Sequence, residues 1–294
     1  MKNIDLHTHS TCSDGSLTPT ELVAHAVKLG LHTIALTDHD TLDGLAEAQI
    51  EADKLGLGLI PGVEISTLFK TGKFMTRELH ILGLGLNINS PTLKKTFEAL
   101  RIYRQNRNTI LLQRLNEAGV SITEQEMKNS ATTANITKAH FAKIITDKGH
   151  ARDVNHAFEL FFRGDTPTNI PKQCLSPEEA IQVIHEGGGV AILAHPFRYG
   201  MDMPQIEELV NQLMACGING IEAIYSTHHQ DQEDFLINLA QKNQLLISGG
   251  TDFHGITKPD IEIGIGKGNL QIPLSIWTTL EESLSPSQNM GLSR

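Results

Sequence analysis

The chain has 294 residues, 39% of them hydrophobic and 20% charged, a composition that excludes a disordered or fibrous protein. Its length allows either one large α/β barrel or two ordinary domains, and no low-complexity run or repeat at a fixed period is present. With 24 Lys and Arg against 34 Asp and Glu, the formal charge is −10, so the surface as a whole repels nucleic acid and any grip on phosphate must come from a local basic cluster or a bound cation.

With only a few residues before Asp5, no signal peptide is expected, and residues 4 to 9 read as a short strand. Thr18-Pro19-Thr20-Glu21 supplies an N-cap, a proline at the first helical position and a capping-box glutamate, predicting a helix to Leu29 that Gly30 stops. "HTIALTDHD" reads as a buried strand, a helix follows over about 42–55 to Gly56, and "LGLIPGVEIS" is the next strand. After a "KTGK" turn, "LHILGLGL" is another strand. The rhythm then changes: residues 91–170 hold helical patterns and no convincing strand, with a long helix from about Pro91 to Ala118 ended by Gly119. A second capping box, Ser176-Pro177-Glu178-Glu179, restarts the alternation with a helix, "GVAILAHP", a helix over 204–215, "GIEAIY", a helix over about 229–242 and "LLISGGTDFHG". About seven strands alternating with helices imply a parallel sheet, and the absence of a clear reversal favours a barrel. The expected organisation is an α/β barrel made of residues 1–90 and 171–294, interrupted by an inserted helical domain at 91–170. No apolar run approaches the roughly 18 residues of a membrane span. Cys12, Cys174 and Cys216 form neither a disulfide framework nor a Cys-x-x-Cys pair, so a cytoplasmic protein with free thiols is expected, without a membrane contact or an implied stable protein partner.

Fourteen histidines exceed what a core needs. Residues i and i+2 of a strand point to the same face, so His7 and His9 present two imidazoles side by side, with Asp14 following beside the turn at Gly15. Polar residues recur at further strand ends: Asp38, His39 and Asp40 in "LTDHD", Glu64 in "PGVE", His80 opening "HILGLGL", His195 in "LAHP", and Asp252 and His254 in "GTDFH". Packing does not explain such a set, because buried carboxylates and imidazoles cost several kcal/mol unless paired or metal-bound. Imidazole nitrogen and carboxylate oxygen without thiolate suit zinc, manganese or iron in a catalytic site. One ion rarely takes more than about six protein ligands, so nine candidates imply two or three ions, with a carboxylate such as Glu64 bridging. A site of that kind polarises a phosphoryl oxygen and supplies hydroxide near neutral pH, which makes phosphate-ester hydrolysis the expected chemistry. Asp38 and Asp40 flank a ligand and are expected either to orient imidazoles or to cap the next helix. His25, His32, His150, His156, His185, His228 and His229 are expected at the surface.

"DLHTHSTCSDG", "TDHD", "PGVE", "AHP" and "TDFH" resemble, in order, the motifs of the polymerase-and-histidinol-phosphatase (PHP) superfamily over residues 1–90 and 174 to about 268. The sequence is most similar to the branch of PHP phosphoesterases containing nucleoside 3',5'-bisphosphate phosphatase and 5'-to-3' exoribonuclease activities. The resemblance implies a distorted seven-stranded (β/α)7 barrel with a helical insertion and a trinuclear site. His7, His9, Glu64 and Asp252 would hold one ion; Glu64, His80 and His195 a second; Asp14, His39 and His254 a third. Asp14 stands where many other members use histidine. Two to three divalent ions, manganese foremost with zinc or iron as the other choices, are the expected cofactors, and Asp14 and His254 are the expected catalytic residues.

Arg101, Arg104, Arg107 and Arg114 recur along one face of the long inserted helix. The resemblance implies that the insertion overhangs the metal site and that Arg104 and Arg107 hold a phosphate that is not cleaved, a task suited to guanidinium forks. Where similar proteins show Gly-Arg-Pro-His, this sequence has Thr137-Lys138-Ala139-His140: the charge persists at Lys138, the bidentate geometry does not, and His140 is retained. Arg198, three residues past His195, either faces the site or anchors a loop. One metal-bound and one arginine-bound phosphate would measure the spacing between two phosphates, as on a nucleoside 3',5'-bisphosphate or a short 5'-phosphorylated RNA. The competing readings are a histidinol-phosphate-type phosphatase, amidohydrolase-type C–N cleavage, and a metal-binding module without catalysis.

Overall fold

Local chemistry starts each barrel helix where the chain leaves a strand. The computed structural model describes residues 3–69, 77–130, 136–268 and 270–284. Strand β1 (Ile4–Thr8) leads to helix α1 (Pro19–Lys28), whose N-cap is Thr18: its hydroxyl accepts from the Glu21 amide while the Glu21 carboxylate accepts from the Thr18 amide. Strand β2 (Thr33–Leu36), helix α2 (Leu45–Leu55, closed by Gly56 at φ 71) and strand β3 (Gly58–Phe69) follow. Strand β4 (Arg77–Leu84) precedes four helices, α3 (Pro91–Glu117), α4 (Glu124–Ser130), α5 (Lys138–Asp147) and α6 (Val154–Phe161). The second capping box, at Ser176 and Glu179, opens α7 (Pro177–Glu186), and the chain continues through β5 (Val190–Leu193), α8 (Met203–Ala215), β6 (Gly220–Tyr225), α9 (Gln230–Lys242), β7 (Leu246–Gly250) and α10 (Leu274–Glu282).

The backbone divides into two compact units, Met1–Phe97 with Cys174–Arg294, and Glu98–Gln173. The first holds a seven-stranded sheet in the order β1-β2-β3-β4-β5-β6-β7. It nearly closes on itself: the Asp252 amide donates to the His7 carbonyl and the His9 amide to the Phe253 carbonyl, both at 2.9 Å, bridging β1 and the end of β7 without a continuous ladder. One cluster of buried side chains, including Ile4, Leu6, Ala35, Ile60, Leu82 and Ile192, is capped by Trp277 and Leu280 of α10; another packs Leu22, Val23, Ala48 and Ala52 of α1 and α2 against Ile34, Leu36 and Leu59. Each fully buried aliphatic chain there is worth about 1.5–3 kcal/mol. The second unit has its own core of Leu111, Leu115, Phe141, Ile145 and Ala157 with their neighbours.

The distorted α/β barrel matches expectation in class, with a correction to the strand directions. The sheet is mixed: β4 runs antiparallel to both β3 and β5. The stretch between Phe69 and Arg77 is too short for a parallel crossover, which takes roughly a dozen residues or more; the "KTGK" turn lies outside the described residues. A second correction concerns Glu64, which lies in the middle of β3 rather than at a strand end. It pairs with Leu82 of β4, while the first residues of β3 pair with β2. Because β4 is reversed, His80 near its start stands beside Ser66 of β3 and Ala194 beyond β5, at the same edge as the carboxyl ends of the parallel strands.

The seam between β1 and β7 leaves no room for a side chain at Gly250, where a Cβ would overlap the His7 Cβ and come 2.7 Å from the His7 nitrogen. Gly250→Ala should therefore destabilise the fold by about 1–3 kcal/mol, read as a lower urea midpoint; an unchanged midpoint would show that the seam yields.

Candidate metal centre

Glu64 is fully buried and meets five imidazoles. Its Oε2 lies 3.2 Å from His7 Nε2, 3.2 Å from His9 Nε2 and 3.1 Å from His39 Nδ1, while Oε1 lies 2.7 Å from His80 Nδ1 and 2.9 Å from His195 Nε2. The alternation of β1 puts His7 and His9 together, their Nε2 atoms 3.1 Å apart. Asp252 Oδ1 is 3.3 Å from His9 Nε2 and 3.6 Å from His7 Nε2. Asp14, whose side chain is 43% exposed, reaches His254 Nε2 at 3.2 Å and His39 Nε2 at 3.9 Å. The donors thus gather into three overlapping groups: His7, His9, Glu64 and Asp252; His9, Asp14, His39 and His254; and His39, Glu64 and His80. His195 joins them through Glu64.

The donor set fits divalent ions on grounds of its own. His39 Nδ1 and Glu64 Oε2 are buried 3.1 Å apart without well-formed hydrogen-bond geometry, although Oε2 also stands 3.2 Å from His7 Nε2 and from His9 Nε2. Leaving such atoms unsatisfied costs about 1–3 kcal/mol apiece; a shared cation would satisfy both. Two donors, His195 at φ 28 and Asp252 at φ 58, and Asp40 at φ 54 beside His39 adopt left-handed backbone conformations that side chains disfavour; of the described non-glycine residues only Gln244, elsewhere, does the same. Imidazole and carboxylate ligands suit manganese, zinc or iron.

Neighbouring residues hold the donors in place, and several were not foreseen. Asp38 bonds no imidazole directly: it accepts from the Ser10 amide (2.8 Å), the Ser10 hydroxyl (2.6 Å) and the Ser13 hydroxyl (2.6 Å), pinning the loop that carries Asp14, and Ser13 in turn stands 3.4 Å from His9 Nδ1. Asp40 accepts from the Ser66 amide at 2.9 Å, tying the His39 turn to β3. Glu222, Tyr225 and Lys258 contact His7 or Asp252 directly, at 2.6–2.9 Å. Tyr199 accepts from the His80 amide and donates to the Ala194 carbonyl. Glu222 did leave a trace in the sequence, an acid inside the otherwise apolar "GIEAIY". Of the histidines expected at the surface, His228 is buried and His25, His32 and His156 are half-buried, while His150, His185 and His229 are exposed. His228 is buried, with Nδ1 donating to the Ala223 carbonyl, because the turn after β6 folds it against Phe197 and Tyr225. His25 is half-buried, stacked on Phe253 and bonded to Glu262.

The expected phosphate-binding residues are distributed between the units. Arg198 NH1 lies 3.4 Å from the Tyr225 hydroxyl, in the unit that carries the donors. Arg104, Arg107, Lys138 and His140 belong to the helical unit. There Arg107 donates to Asn108, Lys138 donates to Asn169 and stands 5.7 Å from the Phe162 ring centroid, and His140 Nδ1 accepts from the Thr137 amide. Arg101 pairs with Glu98, and Arg114 donates to the Pro167 carbonyl.

Charge within the cluster is coupled. Burial works against a charged His9, but hydrogen bonds to Asp252 and Glu64 prevail and raise its pKa to about 9. Burial likewise opposes a charged His80, and the Glu64 charge together with hydrogen bonds to Glu64 and Glu78 raises it to about 10. In Glu64, burial favours the neutral acid, yet the charges of His39, His7 and His80 hold its carboxyl well below the usual range.

Residues 5–162 match the PHP domain, and the chain belongs to that family. It is 34% identical over 262 residues to the 5'-3' exoribonuclease Rnm of Escherichia coli strain K12, covering 88% of this chain and 87% of that protein. It is 33% identical over 282 residues to the 3',5'-nucleoside bisphosphate phosphatase of Chromobacterium violaceum, covering 96% and 97% of the two chains. Its fold matches the crystal structure of a candidate metal-dependent phosphoesterase from Bifidobacterium adolescentis with a TM-score of 0.79 at 26% identity, covering 97% of this chain and 98% of that one.

Because imidazoles must be neutral to coordinate, and His9 and His80 carry protons at neutral pH in the metal-free cluster, ion uptake must expel protons. Calorimetric titration of metal-free protein at pH 7 in buffers of different ionisation enthalpy should show release of more than one proton per chain, and affinity should fall as the pH is lowered. Heats independent of the buffer would contradict this account of the cluster.

Proposed function

We propose that the chain hydrolyses the 3'-phosphate of nucleoside 3',5'-bisphosphates, yielding a nucleoside monophosphate and phosphate, or removes nucleotides from short 5'-phosphorylated RNA. The class of chemistry, metal-dependent hydrolysis of phosphoric esters, follows from family membership together with the donor cluster. The observation that carries the reading is that His7, His9, Asp14, His39, Glu64, His80, His195, Asp252 and His254 form one connected set of nitrogen and oxygen donors. Divalent ions bound there, with manganese our first assignment, supply the positive charge that polarises a phosphoryl group and lowers the pKa of water. The finer choice of substrate rests on similarity to proteins named as a bisphosphate phosphatase and as an exoribonuclease.

Within this proposal, Asp14 and His254 are the catalytic residues. His254 Nδ1 donates to the Asp252 carbonyl at 2.8 Å, which turns its Nε2 towards half-exposed Asp14. Burial, then the charge of His9, hold the His254 pKa below its ordinary value, so the ring is neutral with its acceptor nitrogen facing Asp14. When no ion occupies that nitrogen, it can hold a proton near the leaving oxygen. Arg104 and Arg107 are assigned to a phosphate that is not cleaved, where guanidinium groups bind in paired hydrogen bonds; Lys138, a point charge, His140 and Arg198 are assigned as further substrate contacts.

Manganese-loaded protein should turn over adenosine 3',5'-bisphosphate or short 5'-phosphorylated RNA in an assay that also offers histidinol phosphate; turnover of histidinol phosphate alone would refute the assignment. Asp14→Ala should abolish turnover while leaving the circular dichroism spectrum intact, because its side chain is outside the packed core. Arg104→Ala should raise KM more than it lowers kcat, and an unchanged KM would remove the two-phosphate argument.

A further inference from the structure

Strand β6 differs from its neighbours. Every other strand of the sheet carries or leads into at least one of the nine donors: His7 in β1 and His9 just after it, His39 after β2, Glu64 in β3, His80 in β4, His195 after β5, and Asp252 after β7. Strand β6 provides none of them, yet it buries a carboxylate and a phenol against three. Glu222 is fully buried; its Oε1 accepts from His7 Nδ1 at 2.9 Å and its Oε2 accepts from the His195 amide at 2.7 Å. Tyr225, also fully buried, donates from its hydroxyl to Asp252 Oδ2 at 2.7 Å, and the Lys258 ammonium donates to the same oxygen at 2.6 Å.

Each contact selects one donor atom. A carboxylate only accepts, so His7 Nδ1 carries the hydrogen and its Nε2 is left to face Glu64 Oε2 and His9 Nε2, at 3.2 and 3.1 Å. With Oδ2 of Asp252 held by two donors, Oδ1 is the oxygen turned to His9 and His254, each at 3.3 Å. Histidine ligands are commonly fixed in tautomer and orientation by a carboxylate behind them, and loss of such a partner typically costs 10- to 100-fold in metal affinity. We propose that Glu222 and Tyr225 are positioning residues that present His7 Nε2 and Asp252 Oδ1 to a common point, and so set the affinity of the His7–His9–Glu64–Asp252 group for its divalent ion. This inference rests on the metal-dependent reading above. It assigns to β6 control over one group of donors, leaving the Asp14–His39–His254 group to its own loops.

The decisive variants are nearly isosteric. In Glu222→Gln the amide cannot accept from both the His7 imidazole and the His195 amide, and Tyr225→Phe removes only the hydroxyl. Metal-free wild-type and variant proteins should be titrated with manganese against a fluorescent chelator, and bound ions counted by elemental analysis, with circular dichroism and thermal unfolding of the metal-free forms verifying the fold. In Tyr225→Phe one ion per chain is expected to bind roughly 10- to 100-fold more weakly while the remaining ions bind as in the wild type; in Glu222→Gln, which also loosens the His195 amide, the largest loss is expected at that same ion. Folded variants with wild-type affinity at every ion, or an equal loss at all ions, would overturn the inference and leave the proposed function standing. A wild-type protein that binds no divalent ion would overturn the proposed function and this inference with it. Should Glu222→Gln fail to fold, Tyr225→Phe decides the question alone.

Discussion

Glu64 holds a full negative charge out of water with both oxygens within 3.2 Å of imidazole nitrogens contributed by five separate residues. A carboxylate in that position is stable only if compensating groups arrive from several directions at once. Much of the sheet's architecture can be understood as meeting that condition. His7 comes from the first strand and His9 from just after it, His39 from the turn after the second, His80 from the reversed fourth strand and His195 from the turn after the fifth. Reversal of β4 is what allows the third and fourth strands, joined by a short connection, to deliver Glu64 and His80 to each other across an antiparallel pair, with His80 Nδ1 bonded to Oε1.

Family membership and mixed α/β architecture were both legible in the sequence because they are written in local chemistry. The capping boxes at Thr18 and Ser176 mark helix starts with a residue and its partner three positions on, and the apolar runs between them mark strands. The direction of β4 was not legible, since a short apolar strand has the same periodicity whichever way it runs. Helix α10 also went unread: "LSIWTTLEE" mixes β-branched residues with an unremarkable N-cap at Pro273, and burial of Trp277 and Leu280 in the core does what propensity does not.

Within the donor cluster, the residues that stood out were those whose chemistry is out of place in a strand, such as paired histidines or an aspartate before a histidine. Their supports did not stand out. Glu222 meets His7 across 215 positions of sequence and Tyr225 meets Asp252 across 27, separations that no local pattern encodes. Asp38 had a visible charge but an ambiguous role, because its serine partners, Ser10 and Ser13, are ordinary loop residues until the loop is folded back on the end of β2. His228 was misread for a similar reason: it lies beside exposed His229 in the sequence, and only the turn after β6 separates their environments.

The incomplete ladder between β1 and β7 has a mechanical side. These are the strands that bring His7, His9 and Asp252 together, and they are also where the cylinder is fastened by isolated bonds instead of a continuous zipper. A cation gripped from both sides of that join would act as a rivet, adding its binding free energy to the closure of the wall. Occupancy and resistance to unravelling would then be linked, and depriving the chain of such an ion would weaken the container as well as empty it.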